Sequence, residues 1–136
     1  MRLFFLVTFL SSYLFAESLF IVANSTFPIE KLSVKQIKKI FLKKVDYINA
    51  VAIYPVNLAS NHQVRTLFRD TFLKMSKRDI KQFWIKAHYK GKRAPLTQNS
   101  QESVIKFVQK VDGSIAYIYA KKEPNGMKIL YKVSLK

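Results

Sequence analysis

The sequence predicts an α/β fold: a mixed, mostly parallel sheet flanked by helices. Two observations carry this expectation. Short apolar runs of strand length (residues 18–24, 50–56, 114–120 and 127–135) are separated, over the middle of the chain, by segments with a helical apolar stripe. The resulting order, β-α-β-α-α-α-β-β, is the alternation from which parallel pairs are built. The length, 136 residues, suits one domain.

The first residues are expected to lie outside that domain. "MRLFFLVTFLSSYLFA" has an early arginine, an apolar middle and Ala16 before Glu17, the layout of an export leader cut after Ala16. Its apolar run, residues 3–15, is shorter than the roughly 20 residues a spanning helix needs. The expected division is residues 1–16 as signal peptide and residues 17–136 as one lobe, placed in the periplasm. The chain contains no cysteine, so neither a disulfide nor a thiolate metal site is available to it.

Charge is the strongest compositional signal. Lys plus Arg number 24 against 8 Asp plus Glu; loss of Arg2 with the leader leaves 23 against 8, or +15. Such a balance favours anionic partners. Export makes nucleic acid an unlikely target, which leaves oxyanions, acidic polysaccharide, lipid head groups or acidic protein.

Each element follows from local rules. "SLFIVAN" is a buried strand. Ser33 and Gln36 form a capping box, and Leu32, Ile37, Ile40 and Phe41 give the following helix its apolar stripe. "AVAIYPV" is a second strand, with Pro55 marking its end or an edge. Ser60 or Asn61 caps the next helix, whose buried face is Val64, Leu67, Phe68, Thr71 and Phe72. Ser76 caps a third, with Ile80, Phe83, Trp84 and Ala87 as its stripe. Residues 89–100, "YKGKRAPLTQNS", form a basic loop. Ser100 or Asn99 caps a fourth helix carrying Val104, Phe107, Val108 and Val111. Strands "SIAYIYA" and "MKILYKVSL" close the chain, each entered from a turn. Tyr117 and Tyr119 share a strand face that helices can bury.

Three phrases carry a resemblance. "IVAN…LSVKQIKKIFLKK", "AIYPVNLASNHQVRTLF" and "DGSIAYIY" occur in the order and spacing of "LS…IF.GK", "R..GSGTR..F" and "PGAIGYV" in phosphate-type periplasmic solute-binding proteins. The chain resembles that family over about residues 19–119. The resemblance implies a type 2 periplasmic-binding fold, a single lobe of it, and a role beside a phosphate ABC transporter. It also marks a departure. Aligned on Arg65 and Phe68, the family's Gly-Ser-Gly-Thr falls on Asn61, His62, Gln63 and Val64, and its preceding Arg and Asp fall on Leu58 and Ser60. The phosphate-holding side chains are therefore largely replaced.

Residues 51–72 read as a strand delivering the chain into a helix, whose start exposes unpaired N–H groups and partial positive charge. Two readings stand side by side. In one, Ser60, Asn61, His62, Gln63 and Arg65 form an open, weak site for a small oxyanion or carboxylate, with Asn24 and Ser25 lining the same mouth. In the other, Ser60 or Asn61 only caps the helix and Asn24 and Ser25 make an ordinary turn. His62 and His88 are the only histidines, on separate helices and without a carboxylate pair, so no metal ligand set or catalytic constellation is expected and no cofactor is implied. The chain reads as a non-enzyme.

Two functions remain in view. One is a solute-binding-like module that presents a small anion to a membrane transporter or sensor, with a homodimer or partner domain able to supply a second wall. The other is a basic interaction module that docks on an acidic envelope protein, polysaccharide or lipid and takes no small ligand.

Overall fold

A computed structural model describes residues 16–135; the expected leader, apart from Ala16, lies outside the described residues. Seven strands and four α-helices follow in the order β1 (Ser18–Ala23), α1 (Val34–Phe41), β2 (Tyr47–Ile48), β3 (Val51–Ala52), β4 (Tyr54–Leu58), α2 (Gln63–Phe68), α3 (Lys77–Tyr89), β5 (Leu96–Gln98), α4 (Gln101–Lys110), β6 (Ser114–Ala120) and β7 (Lys128–Ser134). A π-helical segment, Arg69–Leu73, runs on from α2. The fold class is the one the order predicts, a mixed α/β lobe.

Five strands form the main sheet in the order β5-β4-β6-β1-β7. β4 pairs in parallel with β5 and β6, whereas β1 pairs antiparallel with both β6 and β7. Four strands thus share one direction and β1 opposes them. β1 is buried along its whole length, as an apolar strand inside a sheet covered on both faces should be. Its neighbours are the two C-terminal strands: β6 is the central strand of the five, and β7 forms the edge beyond β1.

The caps do what their sequences specify. Ser33 Oγ accepts from the Gln36 N–H at 3.2 Å and the Gln36 side chain accepts from the Ser33 N–H at 2.8 Å, a complete capping box. Ile37, Ile40 and Phe41 are buried beneath the helix that follows. Ser100 caps α4 through the Ser103 N–H, and Val104 and Val108 are fully buried.

The expected strand over residues 50–56 divides in two. β2 and β3 form a small hairpin whose turn residues, Asn49 and Ala50, both have positive φ, and β4 begins only at Tyr54. Pro55 sits near the start of β4, not at its end. β5 pairing begins one residue later, at Val56, so the missing N–H removes no ladder bond there. The basic loop holds β5, an edge strand of three residues too short for a readable period. Gly113 turns the chain into β6 at φ 72°, pressed against the hairpin: a Cβ there would collide with the Ala52 carbonyl oxygen.

The aromatic core lies between α1, α2 and β6. The Phe68 ring stacks on Tyr117 with centroids 4.0 Å apart and planes 5° from parallel, and Phe41 tilts against Phe68 at 4.7 Å. Tyr119 is half-buried, so the shared strand face is covered only in part.

Candidate functional site

β4 ends at Leu58 on the rim where β5 and β6 also end, and the chain turns there into α2. The junction is tied from both sides. The Leu58 N–H donates to Tyr117 Oη at 3.1 Å, and the Tyr117 hydroxyl donates onward to Asn57 Oδ1 at 3.0 Å. The Leu58 carbonyl accepts from Arg65 Nη1 at 2.9 Å. Both polar groups of the last strand residue are therefore held by side chains where the β4–β6 ladder has ended. Burial pushes the Tyr117 hydroxyl up to about 12, opposed by the Leu58 hydrogen bond and the nearby Arg65 charge. A buried tyrosine needs a partner for its hydroxyl, which is the signal in the sequence that could have pointed to this role.

His62 caps α2, where Ser60 or Asn61 was expected. Its Nδ1 accepts from the Val64 N–H at 3.1 Å, which places the neutral ring's proton on Nε2. The His62 N–H bonds the Ala59 carbonyl, and the N–H groups of Arg65 and Thr66 bond the His62 carbonyl. The amide end of this helix is thus largely occupied by its own chain, with only the Gln63 N–H lacking a partner among the described residues, and the expectation of a row of open N–H groups is corrected. The helix begins at Gln63, so the cap position falls on His62 and not on Ser60 or Asn61.

Asn24 and Ser25 are at the opposite end of the sheet. β1 opposes β4, so its C-terminal end lies beside the start of β6: Ala23 pairs Ile115, the Asn24 N–H bonds the Ser114 carbonyl at 2.9 Å, and Tyr54 at the start of β4 pairs Ser114. The five residues of β4 then put about 13 Å between that end and Leu58. Asn24 is also engaged at both ends of its amide, with Nδ2 donating to the Val108 carbonyl and Oδ1 accepting from the Thr26 N–H and hydroxyl. These two residues do not line the mouth at Ser60.

Ser60 and Arg65 do come together. They line a cavity of about 70 Å³ between α1, the β4 rim, α2 and α3, with Asn57, Thr66, Arg69 and Lys77 as its other polar residues and Phe41, Phe68 and Trp84 among the apolar ones. On that measure a single water takes about 10–15 Å³, so the space admits a small ion with a little water and excludes a large organic ligand. Three cationic side chains converge on it. Arg65 and Arg69 are half-buried, and Arg69 Nε is 3.3 Å from Asp70 Oδ1. Asn57 commits only its oxygen; no hydrogen bond among the described residues uses its amide nitrogen. Asn57, Thr66, Arg69 and Lys77 were not picked out in the sequence, because they come from β4, α2, the π-helical segment and α3 and meet only in the folded chain. Asn61, His62 and Gln63 do not line this cavity.

No protein-family model and no curated protein matches this chain. Solved structures do resemble it. An ABC-type phosphate transport receptor from Vibrio cholerae superposes with a TM-score of 0.66 at 17% identity, covering 85% of this chain and 46% of the receptor. A putative phosphate ABC transporter substrate-binding protein with bound phosphate from Clostridium perfringens gives 0.68 at 15%, covering 85% and 45%. PstS from Borrelia burgdorferi gives 0.64 at 18%, covering 85% and 47%. The chain spans less than half the length of each, and among its described residues no helix is long and apolar enough to cross a membrane. At such identities the likeness is one of fold, and in fold this chain is a single lobe of the type 2 periplasmic-binding architecture seen in phosphate ABC-transporter receptors.

Proposed function

We propose that this is an exported, periplasmic solute-binding-like protein that holds a small oxyanion or carboxylate weakly and presents it to a membrane transporter or sensor. The cavity at the β4–α2 junction carries this reading: Arg65, Arg69 and Lys77 line a space sized for a small ion, with Ser60 and Thr66 beside them. Side chains, and not a helix amide end, are the donors. Arg65 spends one N–H on Leu58 and keeps further donors for a ligand. Binding is weak because one lobe leaves its ligand partly in water, where charge pairs gain little. The likeness in fold to phosphate receptors supports the same class of ligand. Of the residues singled out in the sequence around this turn, Ser60 and Arg65 belong to the site; Asn61, His62 and Gln63 border it, and His62 acts through its cap.

The test is a thermal-shift and calorimetric titration with phosphate, sulfate, nucleotides and dicarboxylates at concentrations up to about 10 mM. A ligand present at ten times its Kd stabilises by about 1.4 kcal/mol, which raises Tm by roughly 3–6 °C in a domain of this size. An R69Q/K77Q variant should fold and lose that shift. If no anion moves Tm in the parent protein, or the variant responds equally, the reading fails.

A further inference from the structure

Helix α3 carries a face that the fold leaves uncovered. Ala87 is its only buried residue, while Ile80, Phe83 and Trp84 pack half-covered against the core. Ile85 and Tyr89 stand one turn apart on the other side, 49% and 86% exposed. Helical spacing places Arg78 on the same ridge, two turns before Ile85, with Lys81 and Lys86 flanking it. Across the helix, Lys44, Lys86, Lys90 and Lys92 surround Phe83 in a shallow hollow, with Lys44 Nζ 5.9 Å from the ring centroid. Residues 77–93 hold seven Lys or Arg and one carboxylate, Asp79. Among the described residues none of the seven lies within 4.0 Å of a carboxylate.

We propose that α3 and the loop after it form a docking surface for an anionic lipid bilayer. An exposed aliphatic and aromatic ridge bordered by lysines, on a helix whose other outward positions are charged or polar, is the pattern of an interfacial helix that lies in the membrane plane. Ile85 and Tyr89 enter the boundary between head groups and acyl chains, Trp84 sits at its edge, and the lysine hollow around Phe83 meets the lipid phosphates. The charge selects an anionic surface, and the apolar ridge selects a bilayer over an acidic polysaccharide. The ridge residues Ile85 and Tyr89 line no part of the anion cavity, while Trp84 borders both.

Trp84 is the only tryptophan in the chain, so its fluorescence reports the contact directly. Residues 3–15 are apolar and could carry the full chain onto lipid by themselves, so sedimentation with vesicles does not decide the matter. The decisive readout is quenching of Trp84 by lipids bearing a nitroxide on the acyl chain. In vesicles containing phosphatidylglycerol, Trp84 should shift to the blue and be quenched; in pure phosphatidylcholine, or in about 0.5 M salt, it should not. R78Q/K81Q should weaken the response about 25-fold, and I85S/Y89S should abolish the quenching. Equal quenching on neutral and anionic vesicles, or quenching unchanged in I85S/Y89S, overturns the proposal. So does a lipid-free dimer of the parent protein that I85S/Y89S converts to monomer, because the ridge is then a contact between copies.

Discussion

Helices α1 and α3 begin alike and end in different surroundings. Ser33 and Ser76 each accept an N–H from three residues on, and each helix carries an apolar stripe with lysines around it. α1 places Ile37, Ile40 and Phe41 in the core at 2% exposure or less; α3 buries only Ala87. Caps and periodicity therefore say that a helix forms and which way it leans, but not how much of it is covered. Coverage depends on what else reaches the same spot. α1 lies across β4 and the π-helical segment, and the rings of Phe41, Phe68 and Tyr117 close over one another there. α3 buries far less, and it leaves a cavity lined jointly with α1 and α2 on one side and the exposed Ile85 and Tyr89 on the other.

The contrast can be broken most forcefully by emptying each site. Phe68→Ala, in the closed region, should cost about 3–5 kcal/mol, whereas Phe83→Ala on half-buried α3 should cost less than half as much. Urea unfolding of the two variants measures this, and equal costs would mean that α3 is as much a part of the core as α1.

Tyr117→Phe comes next. It leaves the Leu58 N–H and Asn57 Oδ1 without a partner and should cost about 1–3 kcal/mol. The same hydroxyl gives a pH signature. Its folded value, about 12, lies above the 10.0 of a free tyrosine, so its contribution is complete below pH 10 and is lost as pH rises towards 12. Lysines titrate in the same range, so the quantity to follow is the difference between the parent and Tyr117→Phe. That difference should fall between pH 10 and 12, and a constant difference would mean that the hydroxyl is not held as described.

The smallest effect sharpens the comparison. Ser33→Ala should cost about 1 kcal/mol of global stability, because α1 unfolds only with the core. Ser76→Ala should instead speed amide exchange along α3 and leave the global transition nearly in place. Exchange rates per residue distinguish the two, and a matching global loss for both variants would erase the contrast.

What the sequence by itself determined is the local grammar: the capping box at Ser33–Gln36, the Ser76 cap, the buried run of β1, the span of β6, and through their order the α/β class. Each depends on residues within a few positions of one another, where side-chain chemistry and period are readable in one dimension. Only the tertiary structure decided that β1 opposes its neighbours, which sends Asn24 and Ser25 to the far end of the sheet. It alone inserted the three-residue β5, whose hydrogen bonds come from β4, distant in the chain. It also gathered Arg65, Arg69 and Lys77 round one cavity and left α3 half-dressed. These outcomes rest on hydrogen bonds and contacts between residues distant in sequence, and strand direction, cavity shape and exposure exist only once the chain has closed on itself.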